Sequence, residues 1–150
     1  MTILQLYLLV FLQYHQLNFA FSGEVRLVSN GVASGYHSGR VEIYHDGQWG
    51  TVCDDSWDDV DATVVCNSLG FPAGMAVSMA AFGEGEDPIW MDNVDCQGYE
   101  STLSECEHAG WGNHNCIHME DAGVECAVPG EGPIPIPEGP GAIFKLLNSK

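Results

Sequence analysis

The chain has 150 residues, enough for one domain with a modest core once its two atypical ends are set aside. It carries 21 Asp and Glu against four Lys and Arg, a formal charge of −17. That balance excludes binding that rests on Lys and Arg against phosphate, so no nucleic acid and no anionic membrane is expected as a partner, whereas cations are.

The first stretch, Met1 to Leu12, is almost continuously apolar and is followed by Ala20-Phe21-Ser22, a small-x-small cleavage pattern. It predicts a signal peptide over residues 1–22, hence a secreted, extracellular product with no membrane insertion after cleavage. The segment lacks the Lys or Arg that usually opens such a leader, so a buried or membrane-anchoring helix stands as the alternative. The apolar run is shorter than the roughly 20 residues that span a bilayer.

The compact region then runs over residues 23–128. Val25 to Val28 reads as a strand, ended by a turn at Ser29-Asn30-Gly31. Arg40 to Tyr44 alternates polar and apolar residues, Asp46-Gly47 supplies a hairpin turn, and Trp49 to Cys53 returns as the partner strand. A helix follows over Val60 to Leu69. Ser56 or Asp58 can cap it, Asp58, Asp59 and Asp61 suit the positive end of its dipole, and Gly70 stops it. Its apolar stripe is Val60, Val64, Val65 and Leu69, and the β-branched content makes its stability tertiary.

From Phe71 to Asp87 the Gly-, Ala- and Met-rich sequence reads as a strand within loops, and Ile89 to Val94 as a further strand. Ser101 to Cys106 suits a short helical turn opening at Ser101 or Thr102. Trp111 to Asn115 returns to loop, and Val124 to Cys126 closes the domain as a strand. Residues 129–150 begin with a Pro- and Gly-rich run that buries too little apolar surface to fold, and read as a tail or linker.

Six cysteines, Cys53, Cys66, Cys96, Cys106, Cys116 and Cys126, form an even set within the compact region, which in an oxidising compartment implies three disulfides. Spacing alone does not choose the pairing. Each bridge adds roughly 2–4 kcal/mol by restricting the unfolded chain, which a domain with so small a core needs.

Several blocks resemble the scavenger receptor cysteine-rich (SRCR) domain family. They are Gly39-Arg40-Val41-Glu42-Ile43, Gly47-Gln48-Trp49-Gly50-Thr51-Val52-Cys53-Asp54-Asp55, Val64-Val65-Cys66-Asn67-Ser68-Leu69-Gly70 and Glu120-Asp121-Ala122-Gly123-Val124-Glu125-Cys126. Pro88 to Cys96 fits a fifth block. His37-Ser38 before Gly39 and Phe71 after Gly70 stand where the eight-cysteine group differs, so the chain is similar to the six-cysteine group. The resemblance implies an α+β fold in which a curved antiparallel sheet cradles one helix. It also implies the pairs Cys53–Cys116, Cys66–Cys126 and Cys96–Cys106.

The resemblance further implies calcium as a cofactor. One set comprises Asp54, Asp55 and Glu120, and a second comprises Asp92 and Asn115. Oxygen-rich ligands and irregular geometry suit that hard cation. Against this stand capping and turn roles for Asp54 and Asp55, and a solvated loop role for Glu120. His114-x-Cys116-x-His118 has zinc-like spacing, but a disulfide at Cys116 removes its thiolate. His45 and His108 read as isolated surface residues. No nucleophile elbow, zinc-protease helix or phosphate loop occurs, so no enzymatic activity is expected. The expected function is an extracellular ligand-binding module of pattern-recognition or scavenger type, acting through calcium-organised acidic loops on a protein or glycan ligand, such as a microbial surface. The alternative is an accessory domain of a larger secreted enzyme, such as a protease or lysyl oxidase-like protein.

Overall fold

The architecture turns on one strand that serves three partners. In the computed structural model, which describes residues 21–33 and 37–130, strand β3 (Ser38–His45) runs through the middle of a seven-stranded sheet. One edge pairs with β1 (Val25–Ser29), in the register Val25↔Ile43. The other edge is divided. Its first half pairs with β7 (Gly123–Cys126) through Gly39↔Val124, and its second half with β4 (Gln48–Val52) through Ile43↔Gly50. At the division Val41 N–H donates to Ala122 O and Ala122 N–H to Val52 O, so the sheet curls without losing backbone bonds. The predicted signal segment and tail fall almost wholly outside the described residues.

Two turns set the hairpins. Asp46 and Gly47 both adopt positive φ, 48° and 83°, as a two-residue turn between right-twisted strands requires. Asn30 and Gly31 do the same, at 49° and 76°, so that turn does not merely end β1 but returns the chain as β2 (Val32–Ala33). The sheet is completed by β5 (Gly74–Val77), antiparallel to β7, and β6 (Ile89–Met91), which is shorter than the predicted strand. The β4–β6 pair is parallel, so the sheet is antiparallel in all pairings but one.

Helix α1 (Asp59–Ser68) lies in the curl, against β5 and β7. Asp58, rather than Ser56, caps it by accepting from Val60 and Asp61 N–H. Asp61 reciprocates by accepting from Asp58 N–H at 2.9 Å. Gly70, at φ 90°, follows the C-cap, and Phe71 N–H reaches back to Cys66 O. Ala62, Val64, Val65 and Cys66 are buried against Val41, Ile43, Val52, Met91 and Leu103. Val60 departs from the predicted stripe: it sits in the helix's first turn and is exposed. A 3-10 turn at Leu103–Glu105 follows Thr102, and a second spans His118–Glu120.

Three disulfides close the fold. Cys53–Cys116 ties the end of β4 to the loop before β7, Cys66–Cys126 ties α1 to β7, and Cys96–Cys106 closes a local loop.

Candidate metal centre

The parallel β4–β6 pairing builds the site. With Val52 opposite Met91, Cys53 N–H donates to Met91 O at 2.8 Å, and the two chains leave the sheet side by side. Asp54-Asp55 then follows one strand and Asp92 the other. Carboxylate oxygens of Asp55 and Asp92 lie within 4.8 Å of each other and of both sulfurs of the Cys53–Cys116 bridge. Both turns leading away are strained. Ser56 and Asn93 occupy the left-handed region, at φ 66° and 51°, and Ser56 Oγ contacts Asn93 Oδ1 at 3.4 Å.

Asp92 is 2% exposed, and its Oδ1 is buried with no hydrogen-bond partner. An ionised oxygen held away from water without a donor is costly unless a cation faces it. Asp55 is half-buried. Loss of hydration first, then the negative charges of Asp92, Glu120 and Asp54, raise its carboxyl above the ordinary range. Four acids thus act on one another here, and the predicted sets are not separate: Asp55 of the first lies against Asp92 of the second.

Asp54 and Glu120 each commit an oxygen to the backbone. Asp54 Oδ2 accepts from Met79 N–H at 2.6 Å, and Glu120 Oε2 from Ile117 N–H at 2.9 Å. Asp54 N–H donates to Glu120 O, which holds the two segments together. Asn115 is exposed beside the disulfide, its Oδ1 3.7 Å from Cys116 Sγ. The free faces of these groups are hard oxygens, and the two sulfurs, joined to each other, are not thiolates. That donor set fits calcium, not zinc.

The three groups of the zinc-like motif are engaged elsewhere. Cys116 is bridged, His114 Nδ1 accepts from Cys116 N–H, and His118 Nδ1 faces the buried Asp121 carboxylate at 3.0 Å. Asp121 also accepts from Gly85 N–H and fastens the loop after β5 to the site. Its role was hidden in the sequence, since its partners are 36 residues away or on a neighbouring turn. His45 and His108 are not isolated. They flank Trp111 and contact it through their rings, because β3 and the loop after Cys106 converge there.

The described arginines leave little positive surface. Arg26 and Arg40 both bind Glu42, at 2.6 Å each, and the Arg26 guanidinium also covers the Trp49 ring. Among the described residues no helix is long and apolar enough to cross a membrane.

A family model described as the scavenger receptor cysteine-rich domain matches residues 31–127. The macrophage receptor MARCO of Mus musculus is 51% identical over 96 residues, covering 64% of this chain but only 18% of that receptor's length. The crystal structure of the dimeric form of the mouse MARCO domain covers 64% of this chain and 92% of its own, with a TM-score of 0.58. The third such domain of murine neurotrypsin is 48% identical and covers 69% of this chain and 94% of its own, with a TM-score of 0.60. Curled sheet, one α-helix among the described residues, three bridges and the family match converge: the chain belongs to the scavenger receptor cysteine-rich family.

Proposed function

We propose that residues 23–128 form an extracellular ligand-binding module whose recognition surface is organised by calcium, delivered to the outside by removal of residues 1–22. Asp55 and Asp92 are the central ligands, with Asp54, Glu120 and Asn115 at the rim. The observation that carries this reading is the buried, unpartnered Asp92 Oδ1 beside Asp55. Calcium bound there supplies positive charge to a surface that otherwise lacks it. The chain's own residues hold the carboxylates in place through the Cys53–Cys116 bridge and the Asp54 and Glu120 caps.

The likeness to a macrophage receptor supports a scavenger-type role in innate defence, with a protein or glycan ligand such as a microbial surface polymer. With both described arginines turned onto Glu42, recognition of a polyanion has to pass through the cation. The test is a screen of the disulfide-bonded chain against lipopolysaccharide, sulfated glycans and microbial surfaces, with calcium and with chelator. Binding that requires calcium supports the reading, and polyanion binding unchanged in chelator removes it. A second reading, an accessory domain of a larger secreted enzyme, is favoured by the 48% identity to a domain of neurotrypsin that is the third of its kind in that protein. A reading frame running beyond Lys150 into a catalytic domain would establish it.

A further inference from the structure

The end of the β3–β4 hairpin carries an aromatic stack that the metal centre does not use. The His45 ring lies flat on Trp111, with centroids 3.7 Å apart and planes 2° from parallel, and meets the Trp90 edge at 5.1 Å. His108 meets Trp111 edge-on at 5.0 Å. Trp90 is fixed from below, its Nε1–H donating to Gln48 O. Two imidazoles from distant parts of the chain thus grip one indole on the loop that runs from Glu107 to Gly112. That loop has three backbone bonds to β6 and the chain just after it: Asp95 N–H to Glu107 O at its start, then Ala109 N–H to Asp92 O and Gly112 N–H to Trp90 O, all 2.9 Å.

We infer that this stack is an acid-sensitive latch, which fastens the 107–112 loop to β6 while both histidines are neutral and lets it open when they take up protons. The hydrogen bonds identify the neutral form. His108 Nδ1 accepts from Gly110 N–H at 3.2 Å, so its proton sits on Nε2. A second proton must go to Nδ1, where it meets the Gly110 donor and breaks that turn. His45 Nδ1 is buried without a partner, so a proton placed there gives an N–H that nothing accepts. Double protonation also sets two positive charges close enough to oppose each other.

The charged groups around the latch are few. His45 comes from β3, with Asp46 next to it in the turn. His108 comes from the loop, with exposed Glu107 beside it. Asp92 lies beyond Trp90 on the β6 segment, and Asp87 faces Gln48 at 3.5 Å. Burial first and the charge of His45 second lower His108 below the ordinary histidine value. The folded state therefore binds this proton less readily than the unfolded one. Stability from His108 is fully present above the unfolded value, about 6.5, and is lost as pH falls through the lower folded value.

The test is hydrogen exchange on the disulfide-bonded full chain in chelator, read as protection factors for the Ala109 and Gly112 amides at pH 7.4 and 5.5. A fall of about tenfold is expected, which corresponds to about 1.4 kcal/mol of opening free energy, with no such fall at amides of β1 and β3. In His45→Phe with His108→Phe, which keeps the rings but not the protons, the fall should disappear. His45→Phe alone, which leaves the Gly110 bond in place, should show a reduced fall and guards against misfolding of the double variant. Unchanged wild-type protection at pH 5.5, or an equal fall in the ring-preserving variants, overturns the latch. Since no calcium is present, the result is independent of the metal reading.

Discussion

Replacing Asp92 by Asn removes one negative charge from the centre while keeping the volume of a side chain that is 2% exposed. The native oxygen Oδ1 is buried and unpartnered, which costs about 1–3 kcal/mol in the metal-free protein. Calcium that faces this oxygen recovers at least that amount, so saturating calcium should raise the melting temperature by roughly 4–20 °C for a domain of this size. Differential scanning calorimetry in millimolar calcium and in chelator measures both states. In Asp92→Asn the melting temperature in chelator should match or exceed that of the native chain, because the repulsion between Asp55 and Asp92 is gone. The calcium-induced rise should shrink to a small fraction of the native one. A native chain that shows no calcium-induced rise, or a variant with the full rise, refutes the assignment.

Two raised carboxyls, one at the centre and one at the helix start, predict opposite pH slopes with and without calcium. The folded Asp55 carboxyl is raised above its ordinary value by lost hydration and by Asp92, Glu120 and Asp54, and Asp61 is raised chiefly by burial. The folded state therefore holds these protons more readily, so their contribution is full below the unfolded value of about 4 and is lost as pH rises through the folded values. Thermal melts in chelator should gain from mild acidification at these two groups, whereas melts in calcium should lose, since protons displace the cation. Parallel slopes in the two buffers would contradict this. Asp61→Ala leaves the Cys96 and Asp58 N–H groups, both bonded at 2.9 Å, without their acceptor, and should cost about 2–4 kcal/mol in urea unfolding at neutral pH. Gly50→Ala puts a Cβ against the Trp90 ring and Pro88 O, which should cost about 1–3 kcal/mol and displace β6. Because β6 leads directly into Asp92, calorimetric titration of that variant should show weakened calcium binding as well as lower stability.

What the sequence disclosed divides by distance along the chain. Asp46-Gly47 announces its hairpin because the turn chemistry sits in two adjacent residues, and Asp58 and Gly70 bound the helix for the same reason. The parallel β4–β6 pair announces nothing, since Val52 and Met91 carry no mark of being partners. Without that pairing Asp55 and Asp92 read as members of two sets. The family resemblance supplied both lists of acids, but only the pairing brings Asp55 against Asp92. The aromatic stack was hidden in the same way: His45, Trp111 and His108 are ordinary residues until β3 and the loop after Cys106 meet.

The convergence of Arg26 and Arg40 on Glu42 bears on how the domain meets a large target. A body with this excess of carboxylates pushes away from any negatively charged wall, over a Debye length of about 8 Å at physiological salt. Arg40 is buried and the partly exposed Arg26 is paired with Glu42, so the described surface offers a negatively charged target little other positive charge. Under the proposed calcium reading, a negatively charged target would be met with the Asp55–Asp92 pole foremost. On that reading, whatever holds the domain, whether a stalk, a tail or a second domain, would have to leave that pole facing outward.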